Sequence, residues 1–278
     1  MRFIKMHGIG NDYVYVDCFQ ETVNEPERLA ARISDRHFGV GGDGLILIMP
    51  SDTGDVRMRM FNADGSEGEM CGNGIRCLAK YAYEAGIARK PEIRIETLAG
   101  LLALHLFTTQ GKVDKVRVNM GIPRLRRQEI PMLGEGEGRV LGERIVVGER
   151  EFAATCVSMG NPHCVIYVDQ VADFPVTQYG PLLEHHPLFP QRTNVEWLEW
   201  VNRQEIRQRT WERGSGETWA CGTGACAATV ASALLGKTDR HVTVHLRGGD
   251  LEIEWADDDH VYMTGPAVEV FRGEWSDA

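Results

Sequence analysis

Cys71-Gly72-Asn73-Gly74-Ile75-Arg76-Cys77 and Cys221-Gly222-Thr223-Gly224-Ala225-Cys226 are two versions of one turn, 150 residues apart in a chain of 278 residues. Each follows a Gly, Ser and acidic stretch, Gly65-Ser66-Glu67-Gly68-Glu69 in one copy and Gly214-Ser215-Gly216-Glu217 in the other. Each leads into small or apolar residues that read as a helix, closed by Gly86 and Gly236, because glycine takes the left-handed conformation that ends helices. The same offset carries Asn11 to Asn161, and the alternating run Val56-Arg57-Met58-Arg59-Met60-Phe61 to Ile206-Arg207-Gln208-Arg209-Thr210-Trp211. It also carries the turn Leu98-Ala99-Gly100 to Gly248-Gly249-Asp250, while Val118-Asn119-Met120-Gly121 recurs, slightly slipped, as Tyr262-Met263-Thr264-Gly265. Solenoid units recur every 20 to 50 residues or so. A repeat this long is a duplicated domain.

Residues 1–122 and 123–264 are therefore expected to be two domains, with 265–278 packing back on the first. Strand-like runs fall at 3–6, 13–19, 45–49, 56–61, 93–97, 101–107 and 115–119 in the first half. In the second half they fall at 154–158, 165–168, 195–201, 204–211, 242–246, 251–255 and 261–264. Helices are expected at 26–36, 75–85 and 225–235, and residues 123–142 read as connector plus hairpin. Many short strands around one apolar helix per half predict an α+β fold of two pseudo-symmetric domains, each a strand-rich, barrel-like sheet around a central helix. A pseudo-twofold would face the two helix mouths across a cleft, the expected place of an active site.

The formal net charge of −10 disfavours nucleic acid and anionic membrane as partners, since both reward clustered Lys and Arg. A small molecule is the expected partner, and a homodimer is compatible with the chain. The first residues lack the apolar core of a signal peptide. The long uncharged stretch from Trp219 to Gly236 holds glycines, threonines and many alanines, which suits a tightly packed core helix rather than a span. A cytoplasmic protein is expected. Seven cysteines is an odd number, so free thiols are expected rather than a disulfide framework. The gaps between Cys71 and Cys77 and between Cys221 and Cys226 differ from the two-residue gap of zinc knuckles. Even with His163, His185 and His186 in the chain, no metal is expected.

A cysteine at the mouth of a helix has chemical consequences. The first N–H groups of a helix have no internal partners, and the dipole places partial positive charge there. A thiol at that position ionises more easily, and a bound carboxylate is stabilised by the same N–H groups. Two such mouths on one ligand suit inversion at a carbon bearing a carboxylate. One thiolate takes the α-proton from one face while the other thiol delivers a proton to the opposite face. The N–H groups stabilise the charge that moves onto the carboxylate.

Longer motifs carry a family resemblance. Asn62-Ala63-Asp64-Gly65-Ser66-Glu67, Glu69-Met70-Cys71-Gly72-Asn73-Gly74, Met159-Gly160-Asn161-Pro162-His163, and Glu212-Arg213-Gly214-Ser215-Gly216-Glu217-Thr218 with Ala220-Cys221-Gly222-Thr223-Gly224 resemble the diaminopimelate epimerases. The match runs from Gly8-Ile9-Gly10-Asn11-Asp12 to Gly265-Pro266-Ala267. The resemblance implies an isomerase that interconverts LL- and meso-2,6-diaminopimelate without pyridoxal phosphate or any other cofactor, on the route to lysine and peptidoglycan. It implies Cys71 and Cys221 as the acid–base pair, with Gly72, Asn73, Gly222 and Thr223 holding the reacting carboxylate at the helix mouths. It also implies that Asn11, Asn62, Asn161, Asn194, Glu212 and Arg213 read the rest of the substrate, and that His163 and Glu212 matter for activity. An arginine fork matches a carboxylate and an acid pairs with an ammonium, as a second amino-acid head requires.

Within the repeat, Asn62 aligns with Glu212 and Tyr13 with His163, so the halves differ beside the cysteines, and a histidine there can titrate near neutral pH. Many family members carry Gln where this chain has Gly44 in Gly39-Val40-Gly41-Gly42-Asp43-Gly44, which removes a side-chain contact. Cys18, Cys77, Cys156, Cys164 and Cys226 lack the paired setting and read as buried small side chains. Asp257-Asp258-Asp259 reads as a solvated turn. Two other readings compete: a proline racemase, hydroxyproline epimerase or thiol-free isomerase of the same fold, and an amino-acid binding protein without catalysis. Glu212-Arg213 favours a substrate with a charged distal head, and thiols in a mere binding cleft would be an oxidation liability.

Overall fold

The computed structural model describes residues 1–276, which form two compact units. One is Met1–Asn119 joined by the segment that begins at Thr264; the other is Met120–Met263. In chain order the first unit contains β1 (Arg2–Gly8), β2 (Asn11–Asp17), α1 (Pro26–Ile33), β3 (Gly44–Met49), β4 (Val56–Asn62), β5 (Glu67–Gly68), α2 (Gly72–Glu84), β6 (Glu92–Thr97), β7 (Gly100–Thr109) and β8 (Lys112–Asn119). A short 3-10 turn (Arg127–Glu129) opens the second, followed by β9 (Val140–Val147), β10 (Arg150–Ser158), β11 (Pro162–Tyr167), α3 (Val176–Glu184), β12 (Asn194–Asn202), β13 (Glu205–Glu212), β14 (Gly216–Thr218), α4 (Gly222–Leu234), β15 (His241–Leu246) and β16 (Gly249–Trp255). The chain closes with β17 (Val261–Pro266) and β18 (Val268–Glu274).

The duplication is visible in the hydrogen-bond registers. In the first unit β1 pairs antiparallel with β2, β2 parallel with β3, β3 antiparallel with β4, β4 parallel with β6, and β6 antiparallel with β7. In the second unit β10, β11, β12, β13, β15 and β16 repeat that series in the same order and senses. Tyr13 sits opposite Gly44 as His163 sits opposite Asn194. Ile46 faces Met60 as Glu196 faces Thr210. Even an ion pair is copied. Arg59 grips Glu67 at 2.7 and 3.0 Å, and Arg209 grips Glu217 at 2.7 and 3.1 Å, each pair locking a two- or three-residue strand to the long strand before it.

Each sheet curls round its central helix. α2 packs on β1, β2, β4, β7 and β8, and α4 on β10, β11, β12, β15 and β16, so strands from both ends of a sheet reach one helix. The residues of α4 explain why this works. Ala225, Ala227, Ala228 and Ala231 with Val230 and Cys226 are buried around most of its circumference; such a helix belongs inside a core, and small side chains let strands come close. Its buried Ser232 hydroxyl is satisfied by donating to the Ala228 carbonyl at 2.6 Å while accepting from Tyr167 at 2.7 Å. Gly86 and Gly236 take positive φ after the helices, +82° and +68°. A second hydrophobic cluster in each unit lies under the shorter helix, with Ile33 against Leu45 and Phe61 in one, and Trp197 among Phe152, Phe174 and Tyr179 in the other.

Several elements depart from the sequence reading, among them the short strands β5 and β14 within the Gly, Ser and acidic stretches. α3 was not expected because Gly180 and Pro181 interrupt it; it nevertheless forms, since Gly180 lets the Trp211 ring come to 2.5 Å of where a Cβ would stand. β9 and β18 are edge strands that stay largely exposed, a pattern that reads as loop. Cys18 is half-buried, whereas Cys77, Cys156, Cys164 and Cys226 are buried. Burial pushes the thiols of Cys18 and Cys77 up to about 11. Asp257, Asp258 and Asp259 form an exposed turn.

Candidate active site

Cys71 and Cys221 are the N-caps of α2 and α4. Both have extended backbones, φ −127° and −122°, the geometry that turns a capping side chain back over the first helical turn. Each sulfur accepts from the N–H three residues on, Gly74 or Gly224, at 3.4 Å in both cases. The glycines permit this: a Cβ on Gly74 would stand 2.6 Å from Ile46 Cδ1, and one on Gly224 2.5 Å from Glu196 Oε1. Sequence and local geometry thus make the same cysteine-capped turn twice.

The surroundings of the two sulfurs differ. In the first unit Cys71 is half-buried and its thiol donates to Asn11 Oδ1 at 3.3 Å. Asn11 Nδ2 donates in turn to Asp43 at 2.6 Å, and the Tyr13 hydroxyl bonds both Cys71 and Asn11. Burial, with Cys71 and Asp43 nearby, pushes that phenol well above its ordinary value, so it stays a neutral donor. Asn73 is buried, its side-chain oxygen held by Arg76 at 3.0 Å, and Arg76 also donates to the Gly72 carbonyl at 3.1 Å. The Asn73 side-chain oxygen is thus occupied within its own helix. Asn62 is exposed and donates to Ser66 at 3.0 Å. Gly44 has a steric reason to lack a side chain, since a Cβ there would lie 2.1 Å from the Phe61 carbonyl oxygen.

In the second unit Cys221 is only 5% exposed, beside the Thr223 hydroxyl at 3.5 Å. Burial pushes its thiol well above the ordinary value, Glu212 and Glu196 add to that, and Thr223 with the Gly224 N–H pulls the other way. A helix mouth alone favours the thiolate; here desolvation and two carboxylates outweigh it, and Cys221 rests protonated. This reverses the ease of ionisation expected for it from sequence. Asn161 Nδ2 donates to Thr223 Oγ1 at 3.3 Å, and its Oδ1 lies 3.1 Å from His163 Nε2. His163 is wholly buried, its Nδ1 2.8 Å from Glu196. Glu212 Oε1 accepts from Thr218 at 2.5 Å. Asn194 is buried between neighbours, donating to the Pro162 carbonyl at 2.8 Å and accepting the Arg213 N–H at 2.9 Å. The Arg213 guanidinium donates to the Gln191 carbonyl at 3.0 Å.

The fold thus gathers Asn11, Gly72 and Asn73 round Cys71, and Asn161, Glu212, Gly222 and Thr223 round Cys221, with His163 behind Asn161. Glu196 was missed by sequence reasoning. It is a buried carboxylate within the same cluster, and in Asn194-Val195-Glu196-Trp197-Leu198-Glu199 it reads as one polar residue of an alternating strand. Its one signal was its repeat partner Ile46, an apolar residue 150 positions earlier.

Comparison with known proteins places this geometry in a family. The model of the family "Diaminopimelate epimerase" matches residues 3–126 and 155–270. The diaminopimelate epimerase of Moorella thermoacetica is 58% identical over 277 residues, covering 99% of both chains. That of Pelotomaculum thermopropionicum is 57% identical with the same coverage. Among solved structures, a probable proline racemase from Agrobacterium radiobacter superposes with a TM-score of 0.73 at 16% identity, over 100% of this chain and 93% of that one, a likeness of fold alone. The matched segments contain both cysteine turns and the residues round them, and the chain belongs to the diaminopimelate epimerase family.

Proposed function

We infer that this chain epimerises 2,6-diaminopimelate between its LL and meso forms, with Cys71 and Cys221 as the paired proton carriers. The repeated cysteine N-cap, a sulfur at the mouth of one helix in each unit that accepts the N–H three residues on, carries this reading. In one direction the thiolate of Cys71 removes the α-proton and becomes a thiol. The electron pair left on carbon spreads onto the adjacent carboxylate, which the N–H groups of Gly72, Asn73, Gly222 and Thr223 stabilise. Cys221, protonated at rest, gives its proton to the opposite face and is left as thiolate. The reverse reaction exchanges the roles.

The distal amino-acid head needs recognition of a carboxylate and an ammonium. Arg213 supplies the fork and Glu212 the acid; Asn11, Asn62 and Asn161 orient them. Asn194 acts by fixing the Arg213 backbone, the contact it makes at 2.9 Å. His163, with no exposed surface, acts through Asn161. The chemistry calls on thiols and backbone N–H groups without a cofactor. A formal charge of −10 suits a small-molecule partner over nucleic acid, and no helix among the described residues is long and apolar enough to cross a membrane.

The chain should be assayed separately with LL-diaminopimelate, proline and hydroxyproline. Formation of the meso isomer, with both prolines unchanged and with Cys71→Ala and Cys221→Ala inactive yet folded, is the expected result. Turnover of proline with diaminopimelate untouched would refute it.

A further inference from the structure

Beneath the two cysteine turns the duplicated fold carries opposite chemistry at equivalent places. Under Gly74 of α2 lie Ile46 Cδ1 at 2.6 Å and Met58 Cε at 3.4 Å from a built Cβ, with Met60 paired opposite Ile46. Their counterparts 150 residues on are Glu196, Gln208 and Thr210. Under Gly224 of α4 the Glu196 carboxylate takes the place of the Ile46 methyl, its Oε1 at 2.5 Å from the built Cβ. All six side chains are buried. The apolar set needs no explanation beyond packing. The polar set does: burying a carboxylate is unfavourable until its partners compensate, and apolar replacements of a whole set of such groups are often neutral or stabilising.

The partners form a chain that ends at the sulfur. Glu196 Oε2 accepts from Gln208 Nε2 at 2.6 Å and from Thr210 Oγ1 at 2.6 Å, and Oε1 lies 2.8 Å from His163 Nδ1. His163 Nε2 lies 3.1 Å from Asn161 Oδ1, Asn161 Nδ2 donates to Thr223 Oγ1, and Thr223 Oγ1 lies 3.5 Å from Cys221 Sγ. We propose that Glu196 is a positioning residue for the reaction: clamped by Gln208 and Thr210, it fixes the His163 ring, and through His163 and Asn161 it seats Thr223 against the Cys221 sulfur. Its negative charge also lies beneath that sulfur and helps keep it a thiol ready to give a proton. The groups facing Cys221 are Glu212 from β13, Glu196 from β12 with His163 of β11 behind it, and the Thr223 hydroxyl and Gly224 N–H of α4. The proposal rests on the reading of Cys221 as a proton carrier.

The test uses the full chain with Glu196→Gln, the double variant Glu196→Ile with Gln208→Met that copies two of the three first-unit residues, and Cys221→Ala. Glu196→Gln is expected to lower kcat about tenfold or more with KM within about twofold, as loss of an orienting partner does. With the charge gone the Cys221 thiolate forms more easily. The alkaline limb of the kcat/KM profile should then move about half a pH unit or more to lower pH, with the acid limb unmoved. The double variant should lose at least as much kcat as Glu196→Gln. If Glu196→Gln fails to fold, the double variant decides the outcome. A kcat within about twofold of wild type, or a fall in kcat with an unmoved pH profile, overturns the proposal. Full turnover by Cys221→Ala would instead overturn the reading on which it rests.

Discussion

Replacing Gly224 by Ala puts a methyl carbon 2.5 Å from Glu196 Oε1 and 2.7 Å from its Cδ and Oε2. No carbon tolerates that approach, so the carboxylate must swing away from Gln208, Thr210 or His163. Hydrogen bonds to a charged group contribute roughly 1.5 to 3 kcal/mol each, so losing one or two costs about 1.5 to 6 kcal/mol, with a middle value of about 4 kcal/mol. Alanine over glycine in a helix returns about 1 kcal/mol, leaving a net loss of about 3 kcal/mol at that middle value. The equivalent Gly74→Ala presses on the Ile46 terminal methyl at 2.6 Å and otherwise makes ordinary contacts, an overpacking cost of about 1 to 3 kcal/mol against the same helix gain. The difference is about 2 kcal/mol, a melting temperature lower by roughly 4 to 8 °C for Gly224→Ala at a few degrees per kcal/mol. Differential scanning calorimetry of the two variants measures it directly. If Gly224→Ala melts at or above Gly74→Ala, the carboxylate beneath α4 is not held as described.

Limiting iodoacetamide at pH 8 should label Cys71 ahead of Cys18 and Cys77. Burial pushes those two thiols up to about 11, which leaves about one molecule in a thousand as thiolate; peptide mapping that found Cys18 labelled first would contradict this. Burial pushes the Glu217 carboxyl up, but the Arg209 fork and Arg247 outweigh it and hold it below its ordinary value. That pair's stabilisation is present above the unfolded carboxylate value of about 4.3 and is lost as pH falls through the lower folded one. Glu217→Gln should therefore cost stability at pH 7 in urea titrations, by about 1 kcal/mol for a pair this little exposed, and the deficit should shrink below about pH 4. A deficit that grows on acidification would show that the Arg209 contact is not its source.

The repeat made most of this architecture legible before any coordinates. A cysteine, two glycines and an apolar run at a constant 150-residue offset fix two helix mouths, because the turn needs glycine where Ile46 and Glu196 press close. Edge strands escaped, since β9 and β18 stay largely exposed, which removes the buried alternation that marks a strand. α3 escaped because Gly180 and Pro181 usually break a helix, while here a tryptophan ring covers the glycine. Glu196 escaped for a different reason: a single acid in a strand reads as the solvent face. Only comparison with Ile46, its partner in the repeat, reveals that it points inward. Likewise Asn194 reads as a substrate ligand by motif, but its two hydrogen bonds to Pro162 and Arg213 can be known only once the strands are paired.

Deuterium incorporation during epimerisation tests the two-thiol mechanism most directly. In deuterated water both thiols exchange with solvent, so a proton taken by one sulfur is not the one returned by the other. Starting from LL-diaminopimelate at low conversion, mass spectra of the meso product should show one deuterium at the inverted carbon from the first turnover, with unreacted LL isomer unlabelled. Starting from the meso isomer should give the same label in the LL product. Meso product that retains the original α-hydrogen would mean that a single base serves both faces, and would contradict the roles assigned to Cys71 and Cys221.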